Sequence, residues 1–253
     1  MPQPTWLYAG GILATLATLF QLFLREPGVD IQLSPLNHDK CTSIPELKAC
    51  EKINIHTSGL IYLACAGTIE SRTNWMPTLD ALNATAVRSR TVHDYVATYD
   101  VPTGKITKLD ARGFAEPRGL NVHGMDVVVD QEDSNKLWIY LVNHRPPTDL
   151  LSNPESSGAN SVIEVFKARL GADYMEWVQT VEDSKVIVTP NDIVGGANGE
   201  EFWFTNDNGA RTGIMRTVAA KLSLKDTFVG YCHLKKGCKV ASVLLHASNG
   251  IVR

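Results

Sequence analysis

From about residue 30 onward the chain is written in short apolar runs separated by turn residues. "YVATYDVPTGKITKL" is two alternating runs around "PTGK", the pattern of a hairpin. "GLNVHGMDVVVD" and "LWIYLVNH" form a second pair, and "VIEVFKARLGADYMEWVQTV" a third with a longer turn. "EEFWFTND" and "TFVGYC…KVASVLLH" continue the series. The only helix predicted within this region lies near 211–224, "RTGIMRTVAAKLSL". Strand after strand at short spacing specifies an all-β sandwich, barrel or propeller.

Residues 1–29 are different. "WLYAGGILATLATLFQLFL" has no charged side chain, and the first charge is Arg25. A helix over residues 4–24 is long enough to match a bilayer core of about 30 Å. It reads as an uncleaved signal-anchor, with a cleaved signal peptide as the alternative; no Lys or Arg precedes the apolar run and no clear A-x-A site follows it. Either reading sends the domain at 30–253 into the secretory pathway, membrane-anchored or extracellular.

Composition narrows the class. Of 253 residues 44% are hydrophobic and 20% charged, enough apolar content for a sizeable core. The formal net charge of -3 leaves no basic field for nucleic acid. Five cysteines suit an oxidising compartment. Cys232 and Cys238 bracket "HLKKG", a turn, and are expected to pair. Cys65 in "LIYLACAG" reads as a small buried apolar residue, which leaves Cys41 and Cys50 with each other as partner. Asn83 in "NAT" is a glycosylation sequon, whereas Asn153 is followed by Pro and is excluded.

A spaced pattern carries the candidate chemistry. Glu51 in "EKINI", His123 in "HGMDVVV", Asn191 in "NDIV" and Asn249 in "NGIV" each stand at the head of an apolar run, at intervals of 72, 68 and 58 residues. That period fits one four-stranded sheet with loops per unit, the organisation of a propeller whose first strands line a central channel. The four polar residues would then converge. Glu and Asn oxygens are ligands for calcium, not zinc. Asn before Gly or Asp is also ordinary turn chemistry.

The motifs "CEKINIHTSGLIYLACAG", "NVHGM", "LWIYLVNH", "SVIEVFK", "PNDIV", "FWFTND" and "ASNGIV" occur in an order and spacing that resemble the serum paraoxonase/arylesterase family, from about Cys41 to Arg253. The resemblance implies a six-bladed β-propeller, about four blades of it present here, with calcium in the central tunnel. It implies hydrolysis of lactones and aryl esters. Matched residue by residue, Glu51, Asn191 and Asn249 would hold a catalytic calcium. Asp192 and the main-chain carbonyl of Met125 would hold a structural one. His123 would deprotonate the attacking water and His144 would orient it or relay its proton. The loops around 70–92, 145–160 and 208–226 would cover the channel and select the substrate.

Two departures qualify the resemblance. Lys52 stands where the family has an Asp for the structural calcium, and an ammonium cannot be a ligand. It is expected to take the cation's place and pair with Asp192. The family also continues for about two blades past the position of Arg253. Those blades supply further calcium ligands and the cysteine that pairs with one near the N-terminus. A truncated, non-catalytic fragment or interaction module is therefore the alternative expectation.

Overall fold

The structure is a computed structural model and describes residues 14–21, 40–149 and 153–253. Packing divides the chain into two units, residues 1–44 and 45–253. In the first, residues 14–21 are helical and exposed. The rest of the predicted 4–24 helix, and the predicted boundary at 29/30, lie outside the described residues. Among the described residues no helix is long and apolar enough to cross a membrane.

The second unit is mostly β. The first sheet comprises β1 (Lys52–Ile55), β2 (Leu60–Cys65), β5 (Tyr95–Asp100) and β6 (Lys105–Lys108), in the order β1-β2-β5-β6. A two-stranded hairpin, β3 (Trp75–Met76) and β4 (Ala81–Leu82), sits within the β2–β5 connection. The second sheet is β7 (Asp110–Arg112), β8 (Val122–Val129), β9 (Lys136–Arg145), β10 (Asn160–Arg169) and β11 (Tyr174–Val181), ordered β7-β11-β10-β9-β8. The third is β12 (Pro190–Gly195), β13 (Glu201–Asn206), β14 (Val229–His233) and β15 (Gly237–Val240), in chain order. Every predicted hairpin is present and antiparallel.

In the middle sheet β8, β9 and most of β10 are buried on both faces, which explains their uninterrupted apolar runs, whereas β7 and much of β11 are exposed or half-buried. Side chains alternate across a strand. In β9, Leu137, Ile139 and Leu141 join Tyr62, Ala64 and Val96 of the first sheet in one core. The intervening Tyr140 and Val142 join Phe202 and Phe204 of the third sheet in another. A strand with a sheet on either side has no solvent face and so no polar alternation.

The edge strands β1, β8 and β12 pack together, with β8 against both others. Gly124 permits the approach of β8 to β12, and Gly195 that of β12 to Tyr140 on β9. A Cβ on Gly124 would run into the main-chain oxygen of Asn191, and one on Gly195 into the ring of Tyr140.

Three features differ from the sequence reading. First, helices Ile69–Asn74 and Ala84–Ser89 occupy the 70–92 segment beside the expected helix at Ile214–Lys221. Each has a side-chain cap, Thr68 on Ser71 N–H and Asn83 on Ala86 N–H. Second, Cys65 is not a lone apolar residue: it is bonded to Cys50, as Cys232 is to Cys238. Cys50 precedes β1 and Cys65 ends β2, so the β1–β2 ladder brings their backbones together. Third, Asn249 heads no strand; residues 249–253 run without sheet pairing.

Candidate active site

The site forms where β1, β8 and β12 meet. The β8–β9 ladder shifts register between Val122 and Met125, a bulge that falls on His123 and Gly124. His123 Nδ1 lies 3.1 Å from His144 Nε2, so the hairpin brings both imidazoles together as expected. His123 Nε2 lies 3.2 Å from Glu51 Oε1. At the far end His144 Nδ1 lies 2.8 Å from Ser161 Oγ. Four side chains from β8, β9, β10 and the residue before β1 thus form one continuous line, Glu51–His123–His144–Ser161.

Burial grades along this line. The side chain of Glu51 is 41% exposed, whereas His123 and His144 are each 2% exposed. The hydrogen bond with His123 holds the Glu51 carboxyl below its ordinary value, against the opposing effect of burial. Burial drives the His144 imidazole well below its ordinary value, assisted by the positive fields of His123, Arg72 and Arg216. Near neutral pH Glu51 is a carboxylate and His144 a neutral ring.

A cleft of about 420 Å³ opens over Glu51, lined also by Cys50, Arg72, Met76 and Leu79. The helix-bearing segments cover the His pair from outside. Trp75 Nε1 donates to the main-chain oxygen of His144 at 2.6 Å. Arg72 donates to Val122 O at 2.6 Å. Arg216, in the helix Ile214–Lys221, donates to Pro77 O and Thr78 O and pairs with Asp80, tying the 70–92 and 208–226 segments together.

The next residues along β1 and β12 meet as well. Lys52 Nζ pairs with Asp192 Oδ2, as the sequence led us to expect. Ile251 N–H donates to the same oxygen at 3.1 Å, while Asp192 Oδ1 is buried and has no hydrogen-bond partner among the described residues. Thr205 Oγ accepts from Asp192 N–H and donates to Asn249 O. Glu51 and Asn191 stand next in sequence to Lys52 and Asp192 of this cluster, and Asn249 meets it through its main-chain oxygen. Met125 is fully buried in the core between the first two sheets. Among the described residues no group of three or more His, Cys, Asp or Glu side chains is placed to hold a metal ion.

Sequence reasoning overlooked Ser161, Asp207 and Arg72. Ser161 stands directly opposite His144 in the β9–β10 register, a relation visible only once that pairing is known. Asp207, whose carboxyl burial pushes up, lies within the fields of His123 and Arg216. The chain matches no protein-family model, and no curated protein is matched by its sequence.

Proposed function

We propose that the chain is a calcium-dependent esterase or lactonase of the paraoxonase/arylesterase type, its three sheets being consecutive blades of a β-propeller. One observation carries the reading. Residues at 51, 123 and 191–192, distant in sequence, lie on or beside packed edge strands of three separate sheets, and His144 stands on the strand next to His123.

The donors suit one calcium better than two. A structural cation at Asp192 does not fit, because the Lys52 ammonium is already on that carboxylate. A catalytic cation would use other donors: Glu51 is charged and partly exposed, and the side-chain oxygens of Asn191 and Asn249 are the neutral donors the reading assigns to it. Calcium bound there would polarise the ester carbonyl and stabilise the developing oxyanion.

The chain's own groups handle the proton. Water attacking from the cleft gives its proton to the Glu51–His123 pair, whose facing atoms are 3.2 Å apart. His144 holds His123 from behind and stays neutral. Substrates are small esters or lactones whose apolar part rests against Met76 and Leu79 in the cleft. The apolar N-terminal segment and the two disulfides favour a membrane-anchored or secreted setting.

The test is calorimetric titration of the purified chain with calcium. One binding site, lost in Glu51→Gln, is expected. Absence of binding, or binding indifferent to that substitution, contradicts the reading. The Lys52–Asp192 pair favours one alternative, a binding module with a built-in cation and no hydrolytic step. That alternative predicts a cooperative melt unaffected by calcium.

A further inference from the structure

His144 is gripped from two strands at once. His123 reaches it from β8, and Ser161 reaches it from β10, on the opposite side of β9. Ser161 is 3% exposed and stands in register with His144. The space beside the pair is about 10 Å³, too small for more than one water.

The direction of the line follows from its charged end. A carboxylate only accepts, so the nitrogen of His123 that faces Glu51 carries the proton. With that single proton on the His123 ring, Nδ1 is the bare nitrogen, placed at 3.1 Å to accept from His144 Nε2–H. That leaves His144 Nδ1 bare, and the Ser161 hydroxyl lies at 2.8 Å to donate to it. Each ring is thereby held in one tautomer, with every donor pointing toward Glu51.

We propose that Ser161 is a positioning residue, whose hydroxyl fixes the ring plane and tautomer of His144 so that Nε2–H is delivered to His123. Only the kinetic consequence rests on the esterase reading. Without the hydroxyl, His144 Nδ1 is a buried acceptor with no donor, and the ring loses one of the two contacts that orient it. His123, held through His144, loses its fixed presentation toward Glu51.

The experiment is ¹⁵N-resolved NMR of the imidazoles in the intact, calcium-free chain near neutral pH, together with steady-state hydrolysis of phenyl acetate with calcium present. The variants are Ser161→Ala, Ser161→Val and Ser161→Thr; Val and Thr match in shape and differ in the hydroxyl. Wild type and Ser161→Thr are expected to show His144 protonated at Nε2 with a hydrogen-bonded Nδ1. In Ser161→Ala and Ser161→Val the Nδ1 signal should move toward that of an unbonded lone pair. On phenyl acetate these two should lose roughly 10- to 100-fold in kcat with KM little changed, and Ser161→Thr should recover it. A wild-type His144 protonated at Nδ1 overturns the assignment with no variant needed. Unchanged His144 signals in the Ala and Val variants overturn it too. If the signals move while wild type hydrolyses no ester, the esterase reading falls and the positioning role stands.

Discussion

A lysine and a histidine carry the residue-scale physics. Lys52 pairs with Asp192, whose side chain is 7% exposed. Lys52→Met removes the partner of a buried carboxylate and should cost roughly 1–3 kcal/mol in chemical denaturation. Lys52→Asp places two carboxylates together and should make the melting temperature rise more steeply with calcium than it does in the unmodified chain. His144 acts through pH. Its folded-state pKa is depressed, chiefly by burial, so the unfolded chain binds the additional proton. Stability from this group is present above the unfolded value near 6.5 and declines as pH falls below it. Thermal melts from pH 8 to 5.5 should show that decline, and His144→Gln should flatten it; a profile unchanged in the variant contradicts the assignment. Lys52 and the His pair were legible in the sequence because each changes the charge or chemistry of a recognisable motif. Ser161 was not, since a serine in an apolar strand means nothing until its cross-strand partner is known.

At the scale of elements, close approach matters more than any single contact. Gly124 allows β8 to lie against Asn191 and Asp192 of β12. Gly124→Ala forces those backbones apart and should destabilise the fold by about 1–3 kcal/mol while weakening calcium binding. Denaturation and calorimetry on the same variant check both effects. The Cys50–Cys65 bridge ties the residue before Glu51 to the end of β2 and closes a separation of 15 residues. Replacing both cysteines by Ala should cost about 3 kcal/mol. The strands were readable from period-two alternation and turn residues. The bridge was not, because "LIYLACAG" is equally good as a buried run and the β1–β2 register decides the pairing. The helices at Ile69–Asn74 and Ala84–Ser89 were missed for another reason. Each has six residues, and the first is capped by Thr68 with Ser71, where a capping-box search expects Glu or Gln.

For the whole molecule, the informative feature is a middle sheet whose strands β8, β9 and β10 are covered on both faces, with the edge strand β8 shared by the neighbours on either side. That arrangement gathers distant residues without any local motif. The sequence period set Glu51, His123 and Asn191 at the starts of three apolar runs, and the fold packs the corresponding strands β1, β8 and β12 together. It misassigned Asn249, whose "NGIV" reads as a strand start but runs unpaired past Asp192. The most direct measurement is phenyl acetate hydrolysis by the purified chain, with calcium saturating or chelated, in wild type and His123→Gln. Calcium-dependent turnover that falls roughly 10²-fold or more in His123→Gln is expected if His123 serves in proton transfer. Turnover that survives chelation, or that His123→Gln leaves unchanged, would contradict a metal-assisted mechanism built on the Glu51–His123 pair.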